Sequence, residues 1–172
     1  YYIVKNYRDA YGLFACNGIL FNHESPRRGE NFVTKKIVDG VVRFLRDKHT
    51  CMYLGNLDSV RDWGHAQDYA RGMWLMMQSE TPDDYVLATG KGCTVREFVE
   101  KCFKLHGKEI IWGGKGLEEI GKVDNAIAIK IKEKYYRPNE VDFLLGDSTK
   151  ARSTLGWVPE YDLDQLIKDM FS

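Results

Sequence analysis

Residues 13–21 read Leu-Phe-Ala-Cys-Asn-Gly-Ile-Leu-Phe, a nearly unbroken apolar run of strand length with Asn17 and Gly18 inside it. Such a run is typical of a strand that is covered on both faces, as in a parallel sheet flanked by helices. The run therefore predicts an α/β fold. The polar segment 22–29 that follows contains a proline and is predicted to be a loop.

Helix signals flank the predicted strand and recur along the chain. Apolar residues at helical spacing precede Gly12, which is predicted to end the first helix. A second helix of about four turns is predicted to start at Asn31, a residue type favoured at N-caps. Thr94 and Glu97 have the spacing of a capping box for another helix. Further helices are predicted over 66–78, 148–155 and 162–170, and short strands over 51–54, 85–88 and 110–112.

Three segments lack a helix or strand signal. We predict a loop through Arg61, Asp62 and Trp63, a flexible turn at 113–116, and a weakly patterned stretch from there to Lys134. The glycines of the turn lack the G-x-G-x-x-G spacing of a dinucleotide fingerprint. In the helix over 66–78, the large side chains predicted to face inward as core are Tyr69, Met73, Met76 and Met77.

Composition excludes several classes of protein. Of the 172 residues, 44% are hydrophobic and 29% are charged, which is typical of a folded globular chain. Lys and Arg number 25, as do Asp and Glu, so binding to nucleic acid through overall charge is excluded. A local basic patch remains compatible with this balance. No apolar stretch approaches the ~20 residues that cross a bilayer, and no signal peptide is recognisable.

The cysteines also limit the possibilities. Cys16, Cys51, Cys93 and Cys102 lie far apart without a C-x-x-C pair, so neither a structural zinc site nor a disulfide framework is expected. Their usage fits a reducing cytoplasm. The chain begins without Met, as if it were part of a longer protein.

A basic segment directly after the predicted strand is the first candidate site. Arg27 and Arg28 lie there, between the end of a strand and the start of a helix. Ligands of α/β sheets bind at the carboxyl ends of strands, and helix N-termini attract phosphate. Guanidinium groups can grip phosphate oxygens bidentately. The alternative is a solvated loop whose arginines cap nearby carbonyls.

Two further clusters and one dyad carry possible chemistry. Arg61 could offer another positive fork to a diphosphate, while Asp62 and Asp68 could simply serve a helix N-terminus with Trp63 as core. The segment 135–140 (Tyr-Tyr-Arg-Pro-Asn-Glu) is made rigid by its proline, so that it either holds Arg137 and Glu140 for a ligand or is a surface turn. Tyr1-x-x-x-Lys5 matches the tyrosine–lysine dyad of short-chain dehydrogenases, a match that also arises by chance.

Four stretches together resemble extended short-chain dehydrogenases/reductases. The closing segment 146–159, with Gly-Asp, Lys-Ala and Leu-Gly-Trp-x-Pro, is general to nucleotide-sugar members of that superfamily. The segments 17–29, 54–66 and 136–142 are more specific and resemble the GDP-mannose 4,6-dehydratase family. The resemblance covers essentially the whole chain apart from 115–134.

The resemblance implies that this chain is the C-terminal half of such an enzyme. The family's tyrosine–lysine dyad would lie just upstream of Tyr1, so the match at Tyr1 and Lys5 is a decoy. The glycine-rich cofactor turn and the catalytic Thr and Glu would also lie upstream, and the isolated chain is expected to be inactive. The implied fold is a remnant of the parallel sheet plus a small mixed α/β substrate domain. Residues 1–21 and 58–80 would belong to the cofactor domain, and 22–57 and 81–172 to the interleaved nucleotide-sugar-binding domain.

The resemblance also implies which residues bind ligands. It assigns His23 and Arg28 to NADP. Arg28, Arg61 and Arg137 are expected to converge on a diphosphate beside a helix N-terminus. The family often has arginine where this chain has Lys35 or Lys36, so a contact there could be weaker. The residues assigned to the nucleotide sugar are Arg28, Gly29, Glu30, Asn31, Phe32, Val33, Thr34, Lys35, Lys36, Gly55, Arg61, Arg137, Pro138, Asn139 and Glu140.

The implied reaction converts GDP-mannose to GDP-4-dehydro-6-deoxy-mannose, the first step towards GDP-fucose. Hydride leaves the mannose C4 for NADP, a glutamate removes the acidified C5 proton, water leaves C6, and the hydride returns to C6. This chemistry needs no metal. A cytoplasmic homodimer or homotetramer is expected, with the helix before Gly12 near the dimer face. The alternatives are another nucleotide-sugar epimerase or dehydratase, or a catalytically dead homologue that binds nucleotide.

Overall fold

The computed structural model describes residues 1–136 and 141–172, and it divides the chain into two units. The first unit comprises Tyr1–Ser25, Asp62–Gly92 and Leu145–Leu166, and the second comprises Pro26–Arg61, Cys93–Leu144 and Ile167–Ser172. The helices are α1 (Tyr2–Tyr11), α2 (Val33–Arg46), α3 (Ala66–Met77), α4 (Val95–Leu105), α5 (Thr149–Leu155) and α6 (Leu163–Met170). The strands are β1 (Asn17–Leu20), β2 (Asn22–Glu24), β3 (Met52–Leu54), β4 (Val60–His65), β5 (Asp84–Leu87), β6 (Gly92–Thr94), β7 (Ile111–Gly113), β8 (Ile120–Val123) and β9 (Ala126–Ile131).

Parallel strand pairs organise the first unit. β1 pairs in parallel with β5, and β2 pairs in parallel with β4. Parallel pairing needs crossover segments, and α3 lies in the segment that connects β1 to its partner β5. The α/β prediction is therefore confirmed. The buried core of this unit is Tyr69, Met76, Tyr85, Leu87, Ala151 and Trp157.

Several predictions for the first unit are wrong in detail. The strand predicted over 13–21 is limited to β1. Ile19 on β1 is 45% exposed, so the apolar run 13–21 is not covered on both faces. The predicted loop at 22–29 begins with β2, and the loop predicted at Arg61 to Trp63 is part of β4. Both strands form because each finds a distant partner in the other. Two methionines of α3 predicted to face the core are exposed, Met73 at 46% and Met77 at 55%.

A mixed sheet in the order β3-β9-β8-β7 organises the second unit. β3 and β9 are parallel, whereas β8 is antiparallel to both β7 and β9. β8 and β9 lie in the stretch that the sequence left without an element. Asp124 and Asn125 connect them with φ values of 50° and 65°, a left-handed conformation that Asp and Asn tolerate in tight hairpin turns. In the core of this unit the rings of Phe44 on α2 and Phe103 on α4 meet edge to face, with centroids 5.8 Å apart.

Local capping explains the end of α1 and the beginning of α4. α1 ends at Gly12 with φ 64°, as predicted. Thr94 and Glu97 form the predicted capping box of α4. The prediction for α2 is wrong, because α2 begins at Val33 and its N-cap is Phe32, without a side-chain hydrogen bond, rather than Asn31.

The predicted assignment of 1–21 and 58–80 to a cofactor domain, with 22–57 and 81–172 binding the nucleotide sugar, stays a prediction. In the part of the chain that the structure describes, no helix is long and apolar enough to cross a membrane. The same residues contain no group of three or more His, Cys, Asp or Glu side chains that could hold a metal ion.

Candidate functional site

The predicted nucleotide-sugar segment 28–36 forms the turn before α2 and the first turn of that helix. The guanidinium of Arg28 lies 3.5 Å from the centroid of the Phe32 ring, a cation–π contact. The Phe32 amide donates to the Gly29 carbonyl over 3.1 Å, which closes the turn. The N-cap residue of α2, Phe32, makes no side-chain hydrogen bond, and the helix dipole gives this end of α2 a positive potential that suits an anion.

Two adjacent lysines of α2 have different environments. The Lys35 ammonium forms an ion pair with Asp39 one turn later, at 3.2 Å. The Lys36 ammonium instead lies 3.5 Å from the centroid of the Tyr135 ring. Lys36 therefore contacts a residue from a distant segment, whereas Lys35 pairs within its own helix.

Gly55, another predicted site residue, makes a close backbone approach to the same tyrosine. A Cβ atom built at Gly55 would overlap the carbonyl oxygen of Tyr135. Lys132, three residues earlier, donates its amide to the Leu54 carbonyl over 2.9 Å, so this segment runs along the end of β3. Only glycine allows this approach without displacing backbone.

Arg61 contacts Val141, the first described residue after segment 137–140. Its Nη1 donates to the Val60 carbonyl at 2.8 Å and to the Val141 carbonyl at 2.6 Å. The Val60 amide donates to the Asp142 carbonyl at 2.7 Å, which holds the same stretch of chain. Arg61 is thus fixed on backbone next to the predicted ligand-binding turn.

The structure brings three predicted site residues of the second unit to the described residues that flank segment 137–140. These three residues and their two partners make two separate contacts, which we name together the flanking cluster: Lys36 and Gly55 with Tyr135, and Arg61 with Val141. Four other predicted site residues, Arg137, Pro138, Asn139 and Glu140, lie outside the described residues. The predicted convergence of Arg28, Arg61 and Arg137 therefore stays a prediction.

The flanking cluster is electropositive. Partial burial lowers the pKa of the Lys36 ammonium. A hydrogen bond with Lys134, followed by the charge of Lys36, lowers the pKa of the Tyr135 hydroxyl. In the second unit Lys and Arg outnumber Asp and Glu, and in the first unit the reverse holds. A chain with no net charge thus concentrates its positive charge in the unit that contains the flanking cluster.

His23, the predicted cofactor residue, lies on β2 in the first unit. Its Nδ1 is 2.8 Å from the Phe21 carbonyl oxygen, and its ring stacks on Tyr69 with centroids 5.0 Å apart. Because a carbonyl only accepts, Nδ1 carries the hydrogen in this contact, and in the neutral ring Nε2 is an acceptor. The ring is thus oriented with one defined acceptor nitrogen.

Sequence reasoning missed the roles of two buried carboxylates in the first unit. Asp62 does not serve a helix N-terminus; it accepts hydrogen bonds from Thr89, Gly90 and Gly146. Asp68 accepts from the amides of Glu160 and Tyr161. Both anchor loops that are distant in sequence, and no local spacing signals this. Tyr135 belongs to the segment 135–140 that the sequence analysis singles out, but its contacts with Lys36 and Gly55 were missed for the same reason.

Solved structures identify the fold class of the chain. A protein named RMD from Pseudomonas aeruginosa, complexed with NADPH, matches with a TM-score of 0.78 and 15% identity, covering 99% of this chain and 51% of its own. A dTDP-glucose 4,6-dehydratase from Bacillus anthracis in complex with NAD has a TM-score of 0.77 and 17% identity, over 99% and 47% of the two chains. The chain therefore has part of the Rossmann-type α/β fold of these proteins, about half of whose length it covers.

Sequence comparison specifies the family within that class. A family model described as GDP-mannose 4,6 dehydratase matches residues 1–170. The human GDP-mannose 4,6 dehydratase is 54% identical over 172 residues, covering 99% of this chain and 46% of the human protein. The GDP-mannose 4,6-dehydratase of Sinorhizobium fredii is 53% identical over 173 residues, covering 99% and 49%. This chain belongs to the GDP-mannose 4,6-dehydratase family, and it spans about half the length of the curated relatives it matches.

Proposed function

We propose that the full-length product of the gene encoding this chain is an NADP-dependent GDP-mannose 4,6-dehydratase, a lyase, and that this chain supplies its nucleotide-sugar-binding part. The observation that carries the proposal is the flanking cluster. In a chain of this family, Lys36, Gly55 and Arg61 come from separate segments and contact the residues on either side of 137–140.

The charges of the second unit suit a nucleoside diphosphate. Arg28 and Arg61 carry planar guanidinium groups that match phosphate oxygens, and Lys36 adds a point charge. The dipole of α2 gives its N-terminal end a positive potential, which favours an anion. In this proposal these groups bind the GDP moiety, together with Gly29 to Lys35 and with Arg137 to Glu140.

The residues assigned to NADP have suitable chemistry. His23 is oriented by its contact with the Phe21 carbonyl, and its Nε2 is an acceptor suited to an amide N–H of the cofactor. Arg28 offers donors to a cofactor phosphate. When bound, NADP accepts a hydride from the sugar and returns it. The RMD structure with NADPH supports the choice of a nicotinamide cofactor.

An exposed aromatic surface supports assembly into a homodimer or homotetramer. On and beside α1 the side chains exposed by half or more are Tyr1, Tyr2, Ile3, Tyr7 and Tyr11. Such a contiguous apolar surface is typical of an interaction site. All four cysteines are free thiols, a state that is typical of a reducing cytoplasm and supports that location.

The test uses the full-length protein with GDP-mannose and NADP. We expect a product lighter than GDP-mannose by one water, detected by mass spectrometry, and no turnover of UDP-glucose. Turnover of UDP-glucose in place of GDP-mannose would identify another nucleotide-sugar enzyme. GDP binding without dehydration would identify a catalytically inactive homologue.

A further inference from the structure

Two ammonium groups share the ring of Tyr135. Lys36 lies 3.5 Å from the ring centroid, and Lys134 lies 4.9 Å from it. Among the described residues, no carboxylate lies within ion-pair distance of either ammonium. Lys35, by contrast, is neutralised by Asp39.

Among the residues that the structure describes, no carboxylate compensates this positive charge. The ring quadrupole attracts each ammonium, while the two charges repel each other. Partial burial also lowers the pKa of Lys36, because its charged form is less well solvated. An anion placed against Lys36 would relieve both the repulsion and the lost solvation.

The backbone fixes where the ring lies. Gly55 admits the Tyr135 backbone at a distance that any side chain would prevent. The Tyr135 amide donates to the Lys132 carbonyl over 3.0 Å. The ring is thus held on the end of β3, and it holds the Lys36 ammonium in turn.

We propose that Tyr135 is a positioning residue for the diphosphate of the nucleotide sugar, acting through Lys36. The ring restrains the long Lys36 side chain, so that its ammonium meets a phosphate oxygen without first losing rotamer freedom. This inference rests on the proposed function and adds to it a residue that the family resemblance did not assign.

The experiment measures GDP binding to the full-length protein by calorimetry, with guanosine as the ligand that lacks phosphate. We expect Tyr135→Leu to weaken GDP binding three- to tenfold, on the scale of a single cation–π contact, and to leave guanosine binding unchanged. Tyr135→Phe keeps the ring and should restore GDP affinity to within about twofold of wild type. Lys36→Met should weaken binding as well, and adding Tyr135→Leu to it should cause no further loss.

A matched control has the same chemistry outside the flanking cluster. Lys132 lies 3.7 Å from the centroid of the Tyr53 ring on β3, so Tyr53→Leu removes an equivalent pair. This variant should leave the GDP affinity unchanged. A second series replaces Tyr135 by phenylalanines of increasing fluorination, which conserves shape while weakening the quadrupole. GDP affinity should fall stepwise along that series.

The outcomes separate the two proposals. If the wild-type protein does not bind GDP, the proposed function itself is overturned. If it binds GDP and Tyr135→Leu or the fluorinated series binds equally well, only the positioning role is refuted. Fully additive losses in the double variant would likewise show that Tyr135 does not act through Lys36.

Discussion

The buried carboxylate of Asp62 provides the sharpest test of how the first unit is held together. Asp62 is fully buried, and it anchors the end of β5 to the segment before α5. Its Oδ1 accepts from the Thr89 amide at 2.9 Å and from the Thr89 hydroxyl at 2.6 Å. Its Oδ2 accepts from the amides of Gly90 at 2.9 Å and Gly146 at 3.3 Å.

Asp62→Asn changes this network with little change in shape. The amide oxygen can keep the Gly90 and Gly146 donors, and the Thr89 hydroxyl can turn to accept from the new NH₂ group. The Thr89 amide then faces a donor and stays unsatisfied, and the retained bonds lose their charge assistance. A bond to a charged group contributes about 1.5–3 kcal/mol, and an unsatisfied buried donor costs about 1–3 kcal/mol. We therefore expect the free energy of unfolding to fall by roughly 2–4 kcal/mol.

Urea unfolding of the full-length protein measures this change, and amide hydrogen exchange localises it to Thr89, Gly90 and Gly146. Asp58→Asn is the control, since that carboxylate is 76% exposed and pairs with Arg96 at the surface. Its effect should stay below about 1 kcal/mol. An Asp62→Asn protein within about 1 kcal/mol of wild type would refute the reasoning.

Two further predictions concern backbone packing and an ion pair. Gly55→Ala should displace the Tyr135 backbone and weaken GDP binding several-fold, as measured by calorimetry. Gly113→Ala is the control, because the space around its Cβ is open, and it should bind GDP as the wild type does. A Gly55→Ala protein with the GDP affinity of the wild type would contradict the packing argument. Arg8 makes a two-point contact with Asp84 and, by hydrogen bonding, holds the pKa of that carboxyl well below its usual range. A depressed folded-state pKa stabilises the protein above the unfolded pKa of ~3.9, and this stabilisation is lost as the pH falls further. Arg8→Met should therefore lower the urea midpoint near pH 7 and make less difference below about pH 4; a constant difference across that range would argue against the pair.

The helix ends were predictable because their causes are local. A glycine in the left-handed conformation ends α1 at Gly12, and the reciprocal hydrogen bonds of Thr94 and Glu97 begin α4. Each signal needs only residues within one turn. The cap predicted at Asn31 is wrong by one residue. Phe32 adopts the extended conformation of an N-cap although its side chain cannot cap, so residue type alone did not locate the start of α2.

Strands and burial were less predictable because they depend on partners that are distant in sequence. The sequence predicts loops where β2 and β4 lie, because each strand forms only by pairing in parallel with the other. The apolar run around β1 has the right composition for a covered strand, but Leu13, Phe14 and Ile19 are 43–48% exposed. The pattern of apolar residues shows which face of a segment is apolar, but it does not show what packs on that face.

The candidate site shows the same division within a single pair of neighbours. Lys35 and Lys36 are equivalent in sequence, and only the pairing of Lys35 with Asp39 could be read from helical spacing. The contact of Lys36 with Tyr135 requires α2, the end of β3 and the segment after β9 to meet, with a glycine at position 55 to permit the approach. A motif can therefore identify a lysine as a ligand-binding residue, but the aromatic ring that orients its charge is found only once the fold has brought the two together.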